Sequence, residues 1–197
     1  MTSLPSSETI YDIAIIGGGI NGCGIARDAA GRGFKVYLCE QDDLASGTSS
    51  WSSKLIHGGL RYLEHYEFKL VAESLKERAI MLRTAPHLVW PLEFRLPHMP
   101  SMQPWPIVRL GLLLYDWLAR HGSLPRSRGV RLTDPALRQS GIRAFSYWDA
   151  WVDDARLVVA NALDAADHGA AIRTRTKLIS AERKTDIWNA TVEGPSG

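Results

Sequence analysis

The residues best placed to do chemistry are glycines. From Tyr11 the chain reads Tyr-Asp-Ile-Ala-Ile-Ile-Gly17-Gly18-Gly19-Ile20-Asn21-Gly22, an apolar run that breaks into glycines where a helix should begin. An acid, Glu40, follows a second apolar run. This spacing suits a dinucleotide: Gly17 allows the tight turn out of a strand, Gly19 lets the backbone approach a pyrophosphate, and Gly22 lets helix and strand pack closely. The helix N-terminus turns its partial positive charge to the phosphates. Glu40 then stands where a carboxylate can accept from both ribose hydroxyls of an adenosine, and its charge excludes a 2′-phosphate.

The elements needed to position these residues are legible on both sides. Ile13 to Ile16 reads as a buried strand and Lys35 to Leu38 as the next. Between them, from Asn21 to Arg32, Ile25, Ala26, Ala29 and Ala30 recur at helical spacing, with Gly31 and Gly33 bracketing the helix end. Further on, Glu67 to Arg83 is expected as a helix with Leu70, Val71, Ser74, Leu75, Ala79 and Leu82 on one side, stopped by Pro86 and Pro91. A strand over Leu92 to Leu96, a helix over Ile107 to Ala119, a loop over Arg126 to Gly129 and a helix start at Thr133-Asp134-Pro135 follow. Phe145 to Trp151 reads as a strand, Asp153 to His168 as a helix capped by Asp153-Asp154, Ala171 to Thr174 as a strand, and Lys177 to Arg183 with Ile187 to Val192 as a hairpin.

The bulk properties bound the answer. A chain of 197 residues forms one domain or slightly more, and a formal charge of +2 gives no general argument for nucleic acid. Between Trp105 and Arg143 seven arginines face only Asp116 and Asp134, a local positive field. Cys23 and Cys39 form no disulfide framework and read as small core residues of a protein in a reducing compartment. Cys23 also lies just past the glycine turn, where a helix N-terminus lowers a thiol pKa, so a redox role stays open. The polar segment Met1 to Thr9 lacks the regions of a signal peptide, and a cytoplasmic protein is expected. His65, His87, His98, His121 and His168 have no metal-ligand spacing, and no metal is expected.

A loop of small hydroxyl residues, Ser46-Gly47-Thr48-Ser49-Ser50-Trp51-Ser52-Ser53, runs into Lys54-Leu55-Ile56-His57-Gly58-Gly59-Leu60-Arg61-Tyr62. Its hydroxyls and backbone amides are ready hydrogen-bond partners for a phosphate or an isoalloxazine edge. A nucleotide core interrupted by a long, aromatic, proline-containing insertion is the layout of flavoenzymes rather than of simple dehydrogenases, which moves the expected cofactor from NAD to FAD. The expected fold is α/β: a Rossmann-like FAD-binding domain of the glutathione-reductase and amino-acid-oxidase type with an inserted α+β cap segment, incomplete at its C-terminus. Residues 1–90 are assigned to the FAD-binding core, 91–150 to the inserted substrate or cap region, and 151–197 to a truncated return to the core.

Three segments carry a resemblance. Gly17 to Gly33, Thr48 to Phe68 with its Ser-Ser-Lys-Leu-Ile-His-Gly-Gly-Leu-Arg-Tyr-Leu core, and Trp151-Val-Asp-Asp-Ala-Arg-Leu157 together resemble the aerobic, FAD-dependent glycerol-3-phosphate dehydrogenases over almost the whole chain. Two features depart from that family: a cysteine stands at position 23 where relatives often carry alanine, and the chain is much shorter than its members, so it looks like their N-terminal portion.

The resemblance implies oxidation of sn-glycerol 3-phosphate to dihydroxyacetone phosphate with electrons passed to a membrane quinone. It also implies a cofactor set of Gly17, Gly19, Ile20, Asn21, Gly22, Glu40, Gln41, Thr48, Ser49, Ser53, Ile56, His57 and Gly58. Arg61 is the expected phosphate ligand, because a guanidinium is permanently charged and bidentate. Tyr62 is expected to hydrogen-bond substrate or to pack as an aromatic, and His57 to line the flavin and to stand as a candidate base. Lys54 is read as an offset to charge on the reduced flavin or as a solvated lysine. The helix Ile107 to Ala119, with Trp105, Trp117 and nearby arginines, reads either as an interfacial helix on anionic lipid or as a core helix of the cap. Peripheral membrane contact, a homodimer and a location at the inner face of the cytoplasmic membrane are further expectations. Two other readings stay open: an FAD-dependent amine or amino-acid oxidase of the same fold, and a non-catalytic FAD-binding module.

Overall fold

The computed structural model describes residues 9–120, 122–133 and 141–195. In chain order it contains β1 (Ile13–Ile16), α1 (Ile20–Gly31), β2 (Val36–Cys39), β3 (Leu55–Ile56), α2 (Phe68–Thr84), β4 (Val89–Pro97), α3 (Trp105–Leu118), β5 (Arg128–Leu132), β6 (Ile142–Val152), α4 (Asp154–Asp167), β7 (Ala171–Arg173), β8 (Lys177–Lys184) and β9 (Ile187–Glu193). Short 3-10 turns occupy Thr48–Ser50 and Leu60–His65. The chain divides into two compact units, one of residues up to Ser53 together with Asp153 onward, the other of Lys54–Val152.

The first unit is built on a parallel sheet in the order β1-β2-β7, with Ile13 opposite Val36 and Leu38 opposite Ile172. Every residue of β2 is buried, as a parallel strand covered on both faces requires. Helices α1 and α4 pack together, and their contact is made of small residues: Ala26, Ala29 and Ala30 share a core with Val158, Ala162 and Ala165. Short side chains let two helix axes approach closely. Asp153 caps α4 through the Arg156 amide, while the neighbouring Asp154 is buried and accepts from the Ser52 hydroxyl at 2.7 Å. The hairpin β8–β9 extends from this unit with most of its residues exposed.

The second unit is antiparallel. Its long central strand, β6, pairs with β4 along nine residues and on its other edge with β3 and β5 in turn. Val71 and Leu75 of α2 and Tyr115 of α3 form its helical core, each fully buried aliphatic side chain contributing about 1.5–3 kcal/mol.

The compact second unit begins at Lys54, where the two-residue β3 pairs with Ala150 and Trp151 of β6. Several expectations need correction here. Arg128 and Gly129, read as loop, open β5: pairing with Ser146 and Phe145 supplies the ladder that local sequence does not advertise, and Gly129 makes room for the Trp105 ring. Pro91 does not stop a helix but lies within β4, an edge strand where a missing amide costs no ladder bond. In α2, Leu70 faces solvent while Arg78 is buried. The expected helix start at Thr133-Asp134-Pro135 falls largely outside the described residues, as does His121.

Candidate functional site

In the first unit β1 delivers the chain into the glycine turn. Gly17 adopts φ +111°, a conformation costly for any side chain, and its amide bonds the Cys39 carbonyl at 2.8 Å, tying the turn to the end of β2. At Gly22 a Cβ would lie 2.0 Å from the Gly17 carbonyl oxygen, so helix and turn approach as only glycine permits. Gly19 is the N-cap of α1 and offers no capping side chain. The Ser49 hydroxyl fills that role from the 3-10 turn, accepting the Ile20 amide at 2.9 Å. Ser49 is thereby brought beside Gly19 and Ile20.

Glu40 sits under the same turn. Its Oε2 accepts the Gly18 amide at 2.7 Å and its Oε1 the Asp42 amide at 2.9 Å. Each carboxylate oxygen retains a further lone pair for a hydroxyl donor. Gln41 and Ser53 lie exposed in the loops that follow. The glycine cradle, the helix N-terminus and the half-engaged carboxylate suit a dinucleotide of the kind that ends in adenosine.

Cys23 does not suit redox work. It is fully buried, and desolvation, aided by the Glu40 charge, pushes its thiol up to about 11 instead of lowering it. Cys39 is buried in β2 and shifted in the same direction for the same reasons.

In the second unit β3 ends at Ile56, and His57-Gly58-Gly59 turns the chain into the 3-10 segment Leu60–His65. Gly59 is left-handed at φ +70°, and the Tyr62 amide closes back on its carbonyl at 2.8 Å. The result is a cavity of about 480 Å³ lined by His57, Arg61, Tyr62, His65, Tyr147 and Asp149, with Phe94 stacked on Tyr147 at 5.2 Å as an aromatic wall. The three residues expected to carry chemistry, Arg61, Tyr62 and His57, therefore share one cavity, and Gly58 lies beneath it. Ile56 belongs to β3, paired with Ala150. Burial, then the nearby Asp149 carboxylate, pushes the Tyr147 hydroxyl above its ordinary range, which keeps it a donor. A second cavity of about 420 Å³, beside Asp116, Arg120 and Arg126, contains none of the expected site residues.

Sequence reasoning missed His65, Phe94, Tyr147 and Asp149 as cavity residues, and Arg78 and Tyr115 beneath them. One signal was available: Tyr147 and Asp149 stand two apart in a strand and so share a face.

A parallel sheet with a glycine turn, a carboxylate after the second strand and an antiparallel unit inserted ahead of the last helix defines a flavoprotein oxidoreductase of the two-unit type. The FAD dependent oxidoreductase family matches residues 12–196, and the chain belongs to it. It is 56% identical over 196 residues to a glycerol-3-phosphate dehydrogenase of Pseudomonas aeruginosa, covering 99% of this chain and 38% of that protein. It is also 56% identical over 181 residues to a D-erythritol 1-phosphate dehydrogenase of Brucella abortus, covering 90% of this chain and 36% of that protein. Among solved structures, the glycerol-3-phosphate dehydrogenase of Bacillus halodurans complexed with FAD matches with a TM-score of 0.61 at 31% identity, covering 91% of this chain and 29% of that one. The chain thus spans less than two fifths of the length of these curated relatives.

Proposed function

We propose that this chain carries the FAD-binding turn and part of the substrate cavity of a quinone-linked dehydrogenase that oxidises sn-glycerol 3-phosphate to dihydroxyacetone phosphate. The observation that supports it is the convergence of Arg61, His57, His65 and Tyr62 on one cavity beside an aromatic wall. A phosphate dianion calls for a permanently charged, forked donor, and Arg61 supplies it. His57, with its ring in the cavity, is the candidate to take the proton of the carbon-2 hydroxyl at an imidazole nitrogen. Tyr62 and Tyr147 orient the substrate hydroxyls, and Phe94 keeps one side of the cavity apolar. In the first unit, Gly17, Gly19 and Gly22 with the α1 N-terminus hold the pyrophosphate, Ser49 and Thr48 flank it, and Glu40 accepts from the ribose. Bound FAD supplies the two-electron acceptor that these side chains lack.

The equal identity to a D-erythritol 1-phosphate dehydrogenase favours one second reading, a longer polyol phosphate at the same cavity. The amino-acid oxidase reading would use Arg61 for a substrate carboxylate instead of a phosphate, and a substrate panel separates the two. The proposal includes peripheral contact with the inner face of the cytoplasmic membrane. Supporting it, α3 exposes Ile107, Leu110, Leu113 and Trp117, with the Arg120 guanidinium 4.9 Å from the Trp117 ring centre. Among the described residues no helix is long and apolar enough to cross a membrane. The accompanying assembly is a homodimer, which sedimentation of the purified protein tests.

The deciding experiment is anaerobic addition of sn-glycerol 3-phosphate, D-erythritol 1-phosphate or glycine to the purified, FAD-loaded protein while flavin absorbance is recorded. Bleaching by glycerol 3-phosphate supports the proposal. Bleaching by the erythritol ester alone selects the second reading, and bleaching by glycine alone overturns both.

A further inference from the structure

The amide of Gly58, at the base of the turn that carries Arg61 and Tyr62, is held by a buried polar chain. It donates to the Tyr115 hydroxyl oxygen at 2.9 Å and, more weakly, to Asp149 Oδ1 at 3.4 Å. The Tyr115 hydroxyl in turn donates to Asp149 Oδ1 at 2.7 Å. Arg78 Nη1 donates to the same carboxylate oxygen and to the Trp148 carbonyl at 3.0 Å. These side chains come from α3, β6 and α2, and none is more than 3% exposed.

The direction of each bond is fixed by chemistry. An ionised carboxylate only accepts, so Tyr115 must spend its proton on Asp149, which leaves its oxygen lone pairs for the Gly58 amide. Gly58 itself lies pressed onto this floor: a Cβ there would meet Leu75 Cδ2 at 2.4 Å and the Tyr115 oxygen at 2.8 Å. Immediately afterwards Gly59 reverses the chain, and the Leu60–His65 turn projects Arg61, Tyr62 and His65 into the cavity. A buried ion pair of this kind gains little stability over well-packed apolar side chains of the same size, so folding alone gives weak reason for its presence.

We propose that Tyr115, Asp149 and Arg78 are positioning residues that fix the Gly58 amide, and with it the height of the His57–Tyr62 turn in the polyol-phosphate cavity. The inference rests on the function proposed above for that cavity. Tyr115 is the member that can be edited cleanly, since phenylalanine keeps its ring and removes only the oxygen on which Gly58 hangs. Because the turn carries the phosphate ligand, the loss falls mainly on KM.

The test compares Tyr115→Phe with a packing control, Val71→Ala, in the purified, FAD-loaded protein. Val71 is fully buried in the same helical core, lines no part of the cavity and, being aliphatic, makes no hydrogen bond to the polar chain. Hydrogen exchange of the peptide covering residues 55–62 is measured beside steady-state kinetics. For Tyr115→Phe, exchange in that peptide is expected to quicken about fivefold or more, as loss of one buried hydrogen bond allows. Its kcat/KM is expected to fall on the order of tenfold or more, chiefly through KM, as misplacement of a substrate ligand allows. Val71→Ala should lower Tm while leaving both readouts near wild type. Wild-type exchange or wild-type kcat/KM in Tyr115→Phe, or the same changes in Val71→Ala, overturns the proposal. If the wild-type protein oxidises neither polyol phosphate, the function reading fails, and the exchange result alone upholds or overturns the hold on Gly58.

Discussion

Glu40 Oε2 accepts the amide of Gly18 at 2.7 Å across a sequence separation of 22 residues, so the acid that follows β2 grips the glycine turn that follows β1. The same carboxylate that a ribose would approach is already part of the turn's own architecture. Hydrogen bonds to a charged acceptor are roughly twice as strong as neutral ones. Glu40→Gln keeps the shape and removes the charge. FAD affinity is expected to fall about tenfold, corresponding to about 1.4 kcal/mol, as measured by titrating flavin fluorescence. Unchanged affinity would mean that Glu40 serves neither ribose nor turn.

Gly22→Ala tests the close approach directly. The added methyl would sit 2.0 Å from the Gly17 carbonyl oxygen, and that oxygen belongs to a backbone held at φ +111°. Neither partner can yield without opening the turn. We expect a loss of about 1–3 kcal/mol of stability and a purified protein with little bound flavin, read from Tm and from the ratio of flavin to protein absorbance. Gly24→Ala, where a Cβ has open space, is the matched control and should retain both.

How much of this was legible in the sequence depends on how local the cause is. The glycine turn, α1 and β2 are fixed by residues within about thirty positions, and their types announce the outcome. Ser49 was legible as a hydroxyl near the cofactor, but its service as the missing cap of α1 depends on a 29-residue return of the chain. The boundary at Lys54 was hidden because β3 is two residues long and exists only by pairing with β6. Arg78 was hidden for a sharper reason: its polar neighbour, Asp149, lies 71 residues away, and only that carboxylate allows a guanidinium to occupy the apolar face of α2. Periodicity assigns an arginine to solvent, and a long-range partner reverses the assignment.

Cys23 yields a pH prediction with a definite sign. Its folded thiol is raised from the ordinary 9.0 to about 11, by burial first and Glu40 second. A group whose folded pKa is raised holds its proton more tightly in the native state, so its contribution is complete below pH 9 and is lost as pH rises toward 11. The size is about 3 kcal/mol. Urea unfolding of wild type and Cys23→Ala at pH 8 and pH 10.5 should therefore show the wild-type protein losing more stability than the variant over that interval. The folded wild type should also resist thiol-directed alkylation at pH 8 and react once unfolded. Rapid labelling of the native protein at pH 8 would contradict the buried placement.

Arg61 separates charge from geometry at the proposed phosphate site. It is exposed in a cavity shared with His57, Tyr62 and His65, so a dianion arriving there meets a forked, permanent cation. Arg61→Lys keeps the charge and loses the fork, while Arg61→Met keeps the length and loses both. For glycerol 3-phosphate we expect kcat/KM to fall about tenfold in the lysine variant and by a hundredfold or more in the methionine variant, since one charge-assisted bond of two is worth roughly 1.4 kcal/mol and both together more than twice that. Each loss should lie mainly in KM, and the salt dependence of KM should flatten in the methionine variant alone. Unphosphorylated glycerol, which has no dianion for the guanidinium, should be used equally poorly by all three proteins. Equal losses in the two variants would mean that the fork is essential and the charge alone carries nothing. Wild-type kinetics in Arg61→Met would remove Arg61 from the site.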